Sequence, residues 1–351
     1  MTTNDLAKKF SENHIITDKL GNGSVMVYIE KFYLDDVING ASHIPHPAFV
    51  VDGRELDGIY ISKFQNVVID GLAYSLPDCD PATHIDFDTA YDACRAKGEG
   101  FHLMSAAEWS AIALWCLKNN CLPFGNNDDG KDIRENDYTA RLSFCDKERS
   151  IFRTATGSGP VEWSHNRNTD GIYDLAANVW EWISGIRLVY GEIQVLPGNN
   201  AASAKYSLEK SSSDWRAING KNGEFIVPDG QGNTENSIKL DFINDCWTFV
   251  CNKITSSLDN FRFCSFTDIS ADASVCNEAR ELLYSLTCLP TNLFTDDSVA
   301  FYANNGASER MLFRGGRWGQ GLNSGIFKSC FDDPRSFSGD AVGFRSAYYE
   351  I

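Results

Sequence analysis

The closing segment, residues 314–347, constrains the fold more tightly than any other stretch of the chain. It opens with Arg314-Gly315-Gly316-Arg317-Trp318 and ends with Val342-Gly343-Phe344-Arg345-Ser346-Ala347. Between these ends Gly321, Gly325 and Phe327 continue a sparse frame of glycine and aromatic residues. Asp332, Asp333, Phe337, Ser338, Gly339 and Asp340 fill the gaps with neither a helical nor a strand period. A loop held by glycine turns and buried aromatics accepts altered side chains on its outer side at little cost in stability. The segment therefore reads as a binding surface.

The rest of the 351-residue chain supplies an ample core, with 43% hydrophobic residues. It holds 22 Phe, 13 Tyr and 8 Trp, which suits a loop-rich domain because each aromatic side chain covers a large area. A formal net charge of −17 repels phosphate backbones and argues against nucleic acid as a partner. Residues 1–20 carry no continuous apolar run and no small-residue cleavage pattern, and no later stretch approaches a membrane span, so the expectation is no signal peptide and no membrane insertion. A chain made in a reducing cytoplasm would keep its 11 cysteines as free, mostly buried thiols. Their odd number and the lack of any CxxC agree.

Local signals predict an α+β domain with few helices, short strands and long loops. Residues 25–33 and 48–63 are rich in β-branched and aromatic residues, with turn signals at Asp52-Gly53 and Asp57-Gly58. A helix is predicted over 87–97, with Asp86 as N-cap and Gly98 as its stop. Ser105-Ala106-Ala107-Glu108 is a capping box that opens a second helix, running to about Asn119. Residues 125–137 read as a solvated loop. Residues 187–300 lack sustained periodicity, hold five cysteines, and read as a large insertion with a short helix near 274–285.

Gly171-Ile172-Tyr173-Asp174-Leu175-Ala176-Ala177-Asn178-Val179-Trp180-Glu181-Trp182 resembles the GLYD and GNVWEW signature of the formylglycine-generating-enzyme (sulfatase-modifying factor) family. His102-Leu103-Met104-Ser105-Ala106-Ala107-Glu108-Trp109 is similar to that family's RLPTEAEW helix start. Ile59-Tyr60-Ile61-Ser62-Lys63 is similar to its early strand, and the closing Arg314-Gly315-Gly316 and Gly343-Phe344-Arg345 to its RGG and GFR. The resemblance implies a C-type lectin-type fold over 46–351, with an insertion at about 187–300, a variable region at about 314–347, and residues 1–45 as an N-terminal extension suited to attachment. Fold does not name the chemistry, because several activities share it.

The resemblance also implies candidate sites. Asp174, Glu181 and the carbonyls of Ala177 and Val179 match positions that hold structural calcium in similar proteins, and mixed carboxylate and carbonyl oxygens suit a hard cation. The same carboxylates would serve equally as caps of local amides. Copper-dependent oxidases of the family carry a cysteine just after RGG, where this chain has Arg317-Trp318-Gly319-Gln320. Cys330 is the one thiol in the closing segment. Iron-dependent sulfoxide synthases need several histidines, and the tight pair His43-Ile44-Pro45-His46 is broken by proline. An oxidase or sulfoxide synthase is thus the alternative to a non-enzymatic binder.

The closing segment looks like the variable region of a diversity-generating-retroelement protein, in which replacement of template adenines yields many residue types but not Lys, Gln, Glu, Met or Trp. Arg317, Gly319, Leu322, Asn323, Cys330, Asp332, Asp333, Phe337, Gly339 and Asp340 are reachable outcomes and form the expected ligand-binding set. Gln320 and Lys328 are not reachable and must be template-encoded. Trp318, Gly321, Gly325, Phe327, Gly343 and Phe344 would be the frame, Trp180 and Trp182 core, and Arg314 and Arg345 structural partners of carboxylates or carbonyls. The resemblance implies a phage or bacterial protein that binds a protein or glycan ligand, with phage tail or virion subunits as further partners.

Overall fold

The computed structural model describes residues 1–135, 140–251 and 253–351. Asn136 and Asp137, the last part of the predicted loop at 125–137, lie outside the described residues. Two sheets organise the chain. The smaller has five strands in the order His14–Thr17, Gly23–Glu30, Gly58–Ser62, Ser346–Tyr348, Phe101–Leu103. The larger has twelve, centred on Trp180–Val189, whose ten residues are all buried.

That central strand pairs antiparallel with Arg310–Gly315 and parallel with Val342–Phe344, so Glu181 lies opposite Arg314 on one side and Gly343 on the other. Gly325–Phe331 extends the sheet beyond Arg310–Gly315. The chain then passes from Val342–Phe344 in the large sheet to Ser346–Tyr348 in the small one. Arg345 occupies the corner between them.

The predicted helices form where their caps placed them. Asp86 accepts the Thr89 amide at 2.8 Å and opens Phe87–Arg95. Both halves of the capping box at Ser105 and Glu108 are made, and Ala106–Lys118 ends at Asn119. This second helix is buried at ten of its 13 positions because it packs inside the largest apolar cluster. Its Trp109 donates Nε1–H to the Ile326 carbonyl at 2.7 Å and so ties the helix to the closing segment. The third predicted helix covers Asn277–Ser285. Thr3–Lys9 and Leu34–Val37 are helical without having been predicted.

Asp52 and Gly53 both have positive φ (53° and 72°) and join Val50–Val51 to Arg54–Glu55 in the tight hairpin that two left-handed residues favour. Residues 14–30 supply two strands of the small sheet. Residues 187–300 supply Glu192–Val195, Arg216–Ile218, Phe225–Ile226, Lys239–Ile243, Cys246–Val250, Arg262–Ser265 and Ser270–Ala271 to the large sheet, and bury Trp215, Trp247 and Phe266 completely. Among the described residues no helix is long and apolar enough to cross a membrane.

Candidate binding surface and the polar hub beneath it

The closing segment folds as two loops carried by three strands. The first loop joins Arg310–Gly315 to Gly325–Phe331 and carries Arg317, Gly319, Leu322 and Asn323; the second joins Gly325–Phe331 to Val342–Phe344 and carries Asp332, Asp333, Phe337, Gly339 and Asp340. Frame side chains point inward. Trp318, Phe327 and Phe344 are buried, as are Arg314 and Arg345. Trp318 donates Nε1–H to the Ser150 carbonyl at 2.8 Å, and Gln320 Oε1 accepts the Arg317 amide at 3.0 Å, closing the first turn. Gly316 has φ 93°, and a Cβ there would lie 2.6 Å from Ser324 Oγ, so only glycine fits that approach.

The outer positions do not all share one environment. Leu322 and Phe337 are exposed, at 47% and 37%, and Gly319 is exposed beside Asp129. Arg317 lies over the Trp318 ring. Asp340 pairs with His84 at 2.5 Å and with Arg149 at 3.3 Å, and the Gly339 carbonyl accepts the His84 amide. The turn joining the antiparallel strands Leu142–Asp146 and Ile151–Thr154 touches both loops, since Arg149 reaches Asp340 while the next residue, Ser150, receives Trp318. Asp332 and Asp333 lie half-buried near Arg310. Burial and the neighbouring Asp332 charge push the Asp333 carboxyl up to about 6.

Cys330 departs from the outward set. It is 9% exposed and packs with Trp180, Phe313 and Phe344, and burial pushes its thiol well up. Its strand, Gly325–Phe331, is buried at every position from Ile326 to Phe331, so neither face is open at Cys330. Lys328, unreachable by adenine replacement, is fully buried under the first loop, where it bonds Asn323 Oδ1 at 2.9 Å and faces the Trp180 and Tyr302 rings. Burial pushes its ammonium down to about 7.

Below the face lies a polar hub for which the sequence reading left structural calcium and the capping of local amides both open. Asp174, Ala177 and Asn178 have φ of 62°, 66° and 59°, so the chain coils left-handed and turns its carbonyls inward. The carbonyls of Asp174, Ala177 and Val179 and Glu181 Oε1 lie 3.2, 3.4, 3.0 and 3.0 Å from one atom, Gln65 Nε2. Gln65 Oε1 accepts from Asn178 Nδ2 at 2.9 Å, which fixes which end of the amide faces the carbonyls. Arg345 grips both oxygens of Glu181 at 2.6 Å. Calcium takes oxygens at about 2.3–2.6 Å. Here the convergence point holds an N–H donor and the carboxylate is committed to a guanidinium, so the donor set does not fit calcium. The Asp174 carboxylate faces elsewhere: Oδ2 accepts the Gly157 amide, and burial pushes the group up to about 6.

The arginine readings hold. Arg345 pairs with Glu181 and also donates to the Ser62 and Tyr173 carbonyls. Arg314 donates to the Leu286 carbonyl and to Ser329 Oγ. Trp180 and Trp182 lie in one apolar cluster.

The loop predicted as solvated from residue 125 is instead buried at Asn126, Asn127 and Asp132. Asn126 bonds Asn178 Oδ1, and Asp132 accepts from the Gly125 amide, Asn127 and Arg134. His46 is buried against the Ser285 carbonyl and pushed down to about 3 by burial, while His43 turns outward to Asp35. All eleven cysteines are free and seven are buried. Thiols meet at Cys246 and Cys264, 3.0 Å apart, rather than at Cys330. Among the described residues no three His, Cys, Asp or Glu side chains form a metal-ligating group.

Sequence reasoning missed Gln65 and the burial of Asn126, and it named Lys328 only as template-encoded without foreseeing its burial. Phe64-Gln65-Asn66 directly follows the early strand, and a run of polar residues buried right after a strand was the available signal.

Comparison with known proteins gives these similarities. The sulfatase-modifying factor enzyme 1-like domain matches residues 42–225. Inactive C-alpha-formylglycine-generating enzyme 2 of Bos taurus is 31% identical over 102 residues, covering 29% of this chain and 32% of that protein. The chain spans about a third of the length of the curated relatives it matches. PvdO from Pseudomonas aeruginosa superposes with a TM-score of 0.37 at 14% identity, covering 96% of this chain and 98% of that one. A Major Tropism Determinant U1 variant superposes with a TM-score of 0.28 at 10% identity, over 93% and 56%. Superpositions this loose do not establish a shared fold.

Proposed function

The chain belongs to the sulfatase-modifying factor enzyme 1-like family, and on that premise we propose that it is a non-enzymatic binder of the retroelement-diversified kind, with a C-type lectin-type fold. Its two closing loops recognise a protein or glycan ligand. The observation that carries this reading is the separation of frame from filling: Trp318, Phe327, Phe344, Arg314 and Arg345 are buried and bonded, whereas Gly319, Leu322 and Phe337 face outward between them.

The residues that adenine replacement cannot produce, Trp318, Gln320 and Lys328, all hold structural places. Gln320 closes the first turn, and Lys328 lies beneath it. Cys330, buried, belongs with the frame rather than with the recognition set. An exposed aromatic such as Phe337 on the same loop as the Asp340–Arg149 ion pair is the mixture that anchors protein interfaces. The position after RGG bears no thiol, and the bovine relative carries the name of an inactive enzyme. A phage tail or virion is the proposed setting, with calcium having no part in recognition.

Sequencing of the encoding locus tests the reading. A reverse-transcriptase gene with a near-copy of codons 314–347, differing at adenines in the codons of the outward residues, is the expected result. A locus without such a copy would leave the family assignment and remove the diversified surface.

A further inference from the structure

We propose that Gln65 replaces a metal ion at the centre of the hub, so that this chain holds the loop 174–181 without any cation and keeps a latent cation site behind one side chain. The inference is independent of what the outer face binds.

Three carbonyls and a carboxylate oxygen that converge on one buried point repel one another, and three left-handed residues are needed to aim them there. Such an arrangement persists only if something positive or hydrogen-donating sits at the centre. Gln65 Nε2 sits there. Its two protons make the 3.0 Å bonds to the Val179 carbonyl and Glu181 Oε1, and share themselves with the two longer contacts.

The amide is held from both ends. Asn178 donates to Gln65 Oε1, and Asn178 Oδ1 in turn accepts the Thr154 amide at 2.9 Å and Asn126 Nδ2 at 3.0 Å. Turning the amide over would set its oxygen against four acceptors. Charge is balanced separately, since Arg345 neutralises Glu181 and adds a 3.3 Å contact to the Asp174 carbonyl. Amide and guanidinium thus divide the two duties of a bound cation, one donating to the carbonyls and the other cancelling the charge. A divalent ion added to this set would meet the Gln65 N–H groups and the Arg345 charge. With a carboxylate at position 65, an oxygen would replace the Nε2 donor among the other four and add a net negative charge, so that a hard cation would be needed to hold the five oxygens together.

The test compares the full-length chain with Gln65→Glu by thermal melting in calcium chloride and in EGTA, with terbium luminescence as a direct probe of the ion. The wild-type chain is expected to melt at the same temperature in both and to give no tryptophan-sensitised terbium emission. Gln65→Glu is expected to melt several degrees higher in calcium and to sensitise terbium, both effects disappearing in Gln65→Glu/Glu181→Gln. A wild-type melting temperature that falls in EGTA, or a folded Gln65→Glu variant indifferent to calcium, would overturn the proposal. Folding of Gln65→Glu in calcium alone also supports it. If that variant folds in neither buffer, native mass spectrometry of the wild type decides: a calcium adduct overturns the proposal, and the bare chain in excess calcium sustains it.

Discussion

The polar hub, assembled from residues 65, 174–181 and 345, and the outer loops follow opposite rules. In the hub, Gln65, Asn178, Glu181 and Arg345 are no more than 1% exposed, and each is bonded to partners more than 100 residues away in sequence. On the loops, Leu322 and Phe337 face outward, and the Asp340 ion pairs are largely solvated. A buried polar group is expensive to orphan, whereas an exposed side chain contributes little to folding. The contrast explains how one segment can be rigid and changeable together: Arg345 anchors the chain a few residues after the loop that carries Asp340.

Breaking the hub should have the largest effect. Arg345→Met leaves Glu181 charged and unpaired in the interior and is expected to cost about 3–5 kcal/mol, read as a lowered urea midpoint. A loss under about 1 kcal/mol would mean that the pair is not buried in solution. Gln65→Met keeps the size of the side chain and removes its donors, so it should cost roughly 2–3 kcal/mol for the orphaned oxygens. An unchanged midpoint would show that water replaces the amide.

Lys328 sharpens the comparison from below the face. Its folded pKa of about 7 lies under the ordinary 10.5, so the unfolded chain binds the extra proton. The cost to folding is full below about pH 7 and is relieved as pH rises from there. Lys328→Met should therefore be more stable than wild type at about pH 6, by roughly 1–2 kcal/mol, with the gap closing toward about pH 9. Melting curves across that range check it; a constant gap would contradict the assignment. The smallest effect belongs to the loops, where Leu322→Ser should stay within about 0.5 kcal/mol of wild type by the same measurement.

Much of the frame was legible because its signals are local. Asp86, the capping box at Ser105 and Glu108, and Asp52-Gly53 each act within four residues and fix helix or turn whatever surrounds them. Thr2 and Asp5 form a capping box that offered the same signal for Thr3–Lys9 and went unread. The hub was half legible: the carbonyls of Ala177 and Val179 and the Glu181 carboxylate converge as the resemblance implied, but Asp174 joins them through its carbonyl rather than its carboxylate, the occupant comes from residue 65, and no spacing within 171–182 announces it. Burial of Asn126 and Asn127 was likewise invisible, because their polarity signals solvent until Asn178 and the local backbone close around them. Cys330 was misplaced for a related reason. Membership of a variable segment says nothing of whether a strand is covered on both faces; the burial of every position from Ile326 to Phe331 decides it.

The most direct measurement is thermal unfolding of Arg317→Ser/Leu322→Ser/Asp340→Ser beside Arg345→Met. If the loops are substitutable filling on a buried frame, the triple variant melts within a few degrees of wild type and the single variant far below it. A triple variant that falls as far as Arg345→Met would show that the outer side chains hold the fold, and the division between face and hub would be wrong.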